Sequence, residues 1–280
     1  MKMIRMTTGL LLAGSLLAVA APAAAQDAGR TWTGPYVGAQ LGYAFQPKDS
    51  NEVVSFDTNL DGTFGDQVST AARANAFSPG FCGGGALTST RAAGCRTDND
   101  SVNWRVHAGY DYQLGTTPFV VGAVAEFGRT HTLMDSVTAF STTPAFYTMS
   151  REYRYGANVR ARAGYTRGDT MVYATGGGSW ASVYKRFATN NVANTFSFDR
   201  RDNAYGWNAG GGIEQRIGDH FSIGAMYLFT GLNDKNRDVN VSGGPATSPF
   251  RLVNASGTDM RRAGKYFYFS TVNIVANWRF

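Results

Sequence analysis

The sequence predicts an all-β fold: an eight-stranded antiparallel up-and-down transmembrane β-barrel. Three observations predict it. Eight segments alternate apolar and polar residues with a period of two, as a strand with two different faces does. The connections between them alternate between short and long, the asymmetry of membrane barrels. Aromatic residues gather at the segment ends while smaller residues hold the centres, which describes two interfacial belts around an apolar band.

The first strand, residues 36–45, sets Val37, Ala39, Leu41, Tyr43 and Phe45 against Gly38, Gln40, Gly42 and Ala44. The second, 102–114, is the most regular: Val102, Trp104, Val106, Ala108, Tyr110, Tyr112 and Leu114 against Asn103, Arg105, His107, Gly109, Asp111 and Gln113. The third, 119–129, carries Glu126 on its polar face. The fourth, 153–165, sets Tyr153, Tyr155, Ala157, Val159, Ala161, Ala163 and Tyr165 against Arg154, Gly156, Asn158, Arg160, Arg162 and Gly164. The fifth, 171–185, is Gly-rich and weakly patterned. The sixth, 204–217, sets Tyr205, Trp207, Ala209 and Ile213 against Asn208, Gly210, Gly212, Glu214 and Arg216. The seventh, 221–230, and the eighth, 266–280, continue the pattern; Phe280, Trp278, Ala276, Ile274 and Val272 share one face. Each is near the ~10 residues that a tilted membrane strand needs.

Residues 115–118, 167–170 and 218–220 read as tight turns. Residues 46–101, 130–152, 187–203 and 231–265 read as four long, polar, external loops. Both chain ends then fall on the short-turn side, which requires an even strand number.

Alternation alone does not say which face is inside. An eight-stranded barrel has an interior just wide enough for side chains. The polar set is full of Gly and suits a narrow lumen; the apolar set holds too many rings for it. Charges such as Arg160 and Arg162 are tolerable when paired inside and expensive in lipid. The expected lumen is therefore a packed polar network of Arg105, His107, Asp111, Glu126, Arg154, Arg160, Arg162, Glu214 and Arg216.

The N-terminus reads as a secretory signal peptide over residues 1–25. Lys2 and Arg5 precede a short apolar run, and Ala23-Ala24-Ala25 offers cleavage after Ala25. The mature barrel is then 26–280. Export makes a disulfide between Cys82 and Cys95, the only two cysteines, the expected state. The net charge of +6 and pI near 9.4 do not point to nucleic acid. The chain is exported, and its arginines alternate along strands instead of clustering.

Four segments carry a family resemblance: Thr33-Gly34-Pro35-Tyr36-Val37-Gly38, Tyr173-Ala174-Thr175-Gly176-Gly177-Gly178, Gly206-Trp207-Asn208-Ala209-Gly210-Gly211-Gly212-Ile213-Glu214 and Ala276-Asn277-Trp278-Arg279-Phe280. From Trp32 to Phe280 the chain resembles the small outer-membrane barrels of Alphaproteobacteria, the opacity-type or immunogenic proteins. Gly224 and Met226 stand where such proteins often carry charged lumen residues, and the first loop is long for the family. The resemblance implies a surface-exposed structural protein of a Gram-negative outer membrane, with adhesion or envelope-integrity roles, no enzymatic activity and no cofactor. It implies contact with outer-membrane lipid and lipopolysaccharide. It also makes Trp278 and Phe280 the signal read by the barrel-assembly machinery. Alternatives on the same fold are a narrow diffusion channel and a lipid A-modifying enzyme.

Three motifs need weighing. Arg167-Gly168-Asp169 spells an adhesion tripeptide but reads as a tight turn. Asp57-x-Asn59-x-Asp61-Gly62 resembles half an EF-hand loop, with Val68 where the bidentate Glu belongs; Asp66 is the substitute for a weak cation site. His107 and Glu126 are expected to face each other across the second hairpin as a structural hydrogen-bonded pair.

Overall fold

The computed structural model describes residues 31–47, 52–235 and 238–280. The expected signal peptide and the cleavage site at Ala25 lie outside the described residues.

Eight long strands close a barrel: β1 (Gly34–Phe45), β2 (Ser101–Gln113), β3 (Phe119–Thr130), β4 (Ala145–Arg167), β5 (Thr170–Thr189), β6 (Arg201–Ile217), β7 (Phe221–Asn233) and β8 (Tyr266–Arg279). Each pairs antiparallel with its neighbours in sequence, and β8 pairs with β1 to complete the ring. A closed ring leaves no edge for another chain to extend, and every strand amide can bond within the wall.

The expected faces hold. Val37, Leu41, Trp104, Val106, Val159, Ile213, Ile274 and Trp278 are exposed on the outside, while Arg105, Glu126, Arg160 and Glu214 are buried inside. Rings touch in runs around the wall at the long-connection end. Phe127, Tyr155 and Trp180 form one run, and Trp207, Phe229, Tyr268 and Tyr266 another. The turn at Gly168 has φ 59°, which glycine adopts without strain; Arg167-Gly168-Asp169 is that turn.

One expectation of face is corrected. Tyr153 was expected outside and Arg154 inside. The register between β4 and β5 shifts at Ser182/Val183, so that Tyr155 pairs with Ser182 and Tyr153 with Val183. Arg154 is the extra residue of a β-bulge, which reverses the parity above it. Tyr153 is buried against Phe269, while the Arg154 side chain is 42% exposed and pairs outward with Glu152.

The long connections are the second correction. They were expected to be polar loops, and they fold into a head with its own apolar core. Val54–Asp57, Thr258–Arg262, Asp238–Ser242 and Thr195–Phe198 form a four-stranded sheet. Met134–Ser141 pairs with the extension of β4, and Gly80–Gly83 pairs with Met134–Ser141. Phe56, Phe77, Val137, Tyr147, Val241, Phe250 and Met260 are buried together between these pieces. Cys82 and Cys95 form a disulfide in this head, with Cα atoms 6.3 Å apart.

Candidate functional site: the lumen and its mouth

The lumen is built in layers. At mid-barrel Glu126 of β3 is the hub. Arg160 of β4 reaches it at 2.7 Å and Arg105 of β2 at 3.3 Å. Asn158 donates to Glu126 at 2.5 Å and Gln40 at 3.1 Å. His107 stands opposite Glu126 in register, as expected, but Gln40 lies between them. The His107 ring nitrogens instead meet Gln40 Nε2 at 3.3 Å and Asn277 Oδ1 at 2.5 Å. Gly38 makes room for this: a Cβ there would come within 2.5 Å of His107 Nε2.

Nearer the short turns, two carboxylates and two guanidiniums form a ring. Arg162 bonds Glu214 at 3.0 Å and lies 3.4 Å from Asp111. Arg279 bonds Asp111 at 3.0 Å and Glu214 at 2.7 Å. Tyr36 accepts from Arg162 at 3.0 Å, and Ser222 donates to Glu214 at 2.6 Å. Below them Trp32 closes the floor, with Arg216 and Arg279 stacked over its ring at 4.4 and 4.6 Å. Apolar side chains fill the remaining space. Met171, Tyr173, Met226, Leu228 and Val275 pack together low in the lumen, and Leu133, Tyr153, Val183, Leu232, Phe267 and Phe269 pack toward the mouth. The cavity beside His107, Arg160 and Arg162 measures about 20 Å³, room for about one water.

Of the expected lumen set, Arg105, His107, Asp111, Glu126, Arg160, Arg162, Glu214 and Arg216 are buried, whereas Arg154 is not. Sequence reasoning left Arg279, Gln40, Tyr36 and Asn158 out of it. Parity alone put all four on the inner face; what was missing was their reach across the barrel.

At the mouth a second charge network joins head to barrel. Arg262 bonds Asp135 at 2.6 Å and Glu52 at 2.5 Å. Arg151 bonds Asp135 at 2.7 Å and donates to the Tyr266 carbonyl at 2.6 Å. Lys185 meets Asp234 at 2.9 Å and Asp202 at 3.3 Å. Burial raises the Asp135 carboxyl, but Arg262 and Arg151 outweigh it and hold it below the usual range. Asp98 accepts from the Ser136 amide at 2.8 Å. Burial, and then the charge of Asp135, push Asp98 up to about 7.

The EF-hand-like segment is engaged with its own backbone. Asp57 accepts from the amides of Leu60 at 2.7 Å and Gly62 at 2.8 Å, and Asp66 accepts from Thr58 at 2.8 Å. Among the described residues no group of three or more His, Cys, Asp or Glu is arranged to hold a metal ion.

The model of the outer membrane protein beta-barrel domain family matches residues 11–280. The 31 kDa outer-membrane immunogenic proteins of Brucella melitensis and Brucella suis are each 28% identical over 217 residues, covering 77% of this chain and 78% of theirs. Among solved structures, Ail of Yersinia pestis, in complex with the heparin analogue sucrose octasulfate, is similar with a TM-score of 0.32 and 10% identity. That match covers 88% of this chain and 99% of Ail. The translocator domain of the autotransporter NalP from Neisseria meningitidis is similar with a TM-score of 0.24 and 13% identity, over 89% of each chain.

Proposed function

This chain belongs to the outer membrane protein beta-barrel domain family, and from that premise we propose that it is a non-conducting structural and surface barrel. It lies in the outer membrane of a Gram-negative cell. In this reading the lumen is a closed core, the four long connections stand outside the cell as a folded head, and the head makes whatever surface contacts the protein has. The Brucella relatives are called immunogenic, which fits an exposed head.

One observation carries the reading. Asp111 and Glu214 bind guanidiniums two strands away and Glu126 binds those of both flanking strands, so the charges that would line a pore are bonded to one another. A solute would have to break several buried ion pairs, and each unpaired partner would cost several kcal/mol, about 3–5 by the usual measure. Planar-bilayer recording of the refolded protein is the test. The proposal expects no conductance steps; stable, reproducible openings would favour the diffusion channel instead.

A lipid-modifying activity finds less support. His107 is buried in the lumen with both ring nitrogens engaged, so it has no access to a lipid substrate. Mass spectra of lipid A from cells with and without the protein should coincide.

For assembly, we keep Trp278 and Phe280 as the segment captured by the barrel-assembly machinery. Both point outward at the last strand end, and Phe280 is 71% exposed. Deleting Phe280 removes little from the finished wall. It should nevertheless lower outer-membrane levels at low expression several-fold, and wild-type levels would show an ordinary interfacial ring.

A further inference from the structure

The outer wall is not symmetric at its head end. On four consecutive strands, β3 to β6, an arginine sits among or just beyond the belt rings. Arg129 follows Phe127 on β3, Arg154 precedes Tyr155 on β4, Arg186 follows Tyr184 on β5, and Arg201 precedes Tyr205 on β6. The pairing brings them onto one flank. Arg129 stands opposite Tyr155, Tyr184 opposite Glu152, and Arg201 opposite Tyr184. On β7, β8, β1 and β2 the outward positions near the rim hold Asn233, Tyr266, Phe45 and Val102. Among the described residues, the cations near that flank's rim are two lysines: Lys235, exposed just beyond β7, and Lys265, lying over the Tyr266 ring.

The arginines are held in place and remain open. Glu152 binds Arg186 at 2.8 Å through one oxygen and Arg154 at 3.5 Å through the other. Both guanidiniums lie over the Tyr184 ring, Arg154 at 5.9 Å and Arg186 at 5.4 Å. Yet the Arg154 side chain is 42% and that of Arg186 57% exposed. A guanidinium has five N–H donors in a fixed fork, so one carboxylate leaves most of them unused. Arg129 and Arg201 are exposed as well. Arg154 and Arg186 share the Glu152 carboxylate, and Asp199 lies exposed two residues before Arg201. The four arginines sit where belt aromatics place the lipid headgroups.

We propose that Arg129, Arg154, Arg186 and Arg201 form a one-sided cradle for the phosphate groups of outer-leaflet lipid. Arg154 and Arg186, preset by Glu152 and Tyr184, bind one phosphate in a forked, charge-assisted geometry. Arg129 and Arg201 flank it and take a neighbouring phosphate of the same or the next headgroup. The opposite flank, with lysines but no arginine among its described belt positions, lacks this forked geometry and meets lipid with weaker preference. The inference rests on the proposal that the head faces outward. It is independent of whether the lumen conducts.

The test uses the folded protein in phosphatidylcholine nanodiscs doped with bisphosphorylated lipid A, with bound lipid counted by native mass spectrometry. Both disc faces carry the same lipid, so binding can be read whichever end faces out. A basic residue near a lipid surface is worth about fivefold in binding. Arg129→Gln/Arg154→Gln/Arg186→Gln should therefore lower lipid A enrichment at least about tenfold. Lys265→Gln should lower it less than about twofold, and dephosphorylated lipid A should show no enrichment. Equal enrichment of the two lipids, an unchanged triple variant, or an equal drop in Lys265→Gln would overturn the cradle. Inositol hexakisphosphate provides the soluble arm: displacement of lipid A at matched concentration would make a free polyanion the occupant and overturn the lipid assignment. If the triple variant fails to show the gel mobility of a folded barrel, Arg186→Gln alone decides. Its side chain is held by Glu152 and Tyr184, and its loss should still cost about fivefold.

Discussion

Within one polypeptide the barrel buries a charged network among apolar side chains, and the head is held by an apolar core. In the barrel, Glu126, Glu214, Arg160 and Arg162 are inside, and Leu41, Val159 and Ile274 are outside. In the head, Phe56, Phe77, Phe250 and Met260 are inside. The difference follows from what lies beyond the wall. Lipid accepts apolar side chains and rejects charge, so the barrel's polar groups must satisfy one another within. Water accepts charge and rejects apolar surface, so the head packs in the usual sense. The mouth is where the two regimes meet, and there Arg151, Arg262 and Lys185 bind carboxylates of the head and the upper barrel.

The two cores should therefore break in different ways. The largest effect is expected from Glu126→Ala, which leaves Arg105 and Arg160 buried without their shared carboxylate. A loss of about 4 kcal/mol in urea unfolding of the barrel is expected. A change below about 0.5 kcal/mol would mean that the lumen is wet enough to screen the pair.

Phe250→Ala comes next. Its ring packs against Phe77 at 5.9 Å and Tyr147 at 5.6 Å. Truncation should cost the head about 3 kcal/mol, seen as faster proteolysis of the long connections, while the unheated barrel keeps its gel mobility. The disulfide should follow. Cys82→Ser opens a loop whose closure is worth about 2–3 kcal/mol in the chain-entropy model, and the loss should fall on the head alone. On intact cells, a maleimide should label this loop only after reduction.

Much of this architecture is legible in the sequence, and the illegible parts share a cause. Period-two patterning places strand faces and, through the short turns, the register that sets His107 opposite Glu126. It cannot place contacts across the lumen. Arg162 meets Glu214 two strands away, and Arg279 meets both Asp111 and Glu214; such reach depends on barrel width and stagger. It cannot see a bulge either, and one extra residue at Arg154 turned Tyr153 inward. The head was hidden for a different reason. The strands of its four-stranded sheet are four or five residues long, too short to show a period, and its rings Phe56, Phe77 and Phe250 lie far apart in sequence. Val239 and Val241, alternating beside polar residues, were the available signal.

The smallest expected effect is a pH dependence confined to the head. Asp98 titrates near 7 in the folded protein against an ordinary value of 3.8. A raised carboxyl favours the protonated folded state, so stability is greatest at low pH and falls as pH rises from about 4 to about 7. Asp98→Asn keeps an oxygen for the Ser136 amide and removes the charge. At pH 8 it should stabilise the head by roughly 1 kcal/mol, allowing for partial exposure, and at pH 4 by nothing measurable. Destabilisation at pH 8 would contradict this, because it would mean that the charged carboxylate is favoured there.

Amide hydrogen exchange of the protein in lipid, followed peptide by peptide in two variants, tests the two-core account most directly. Local openings report the stability of each region separately. Phe250→Ala should speed exchange in residues 134–150 and 238–262 and leave 101–130 and 204–230 as slow as in the wild type. Glu126→Ala should do the reverse. If both variants speed exchange in the same set of strands, the chain has one shared core, and the division between a charged barrel and an apolar head is wrong.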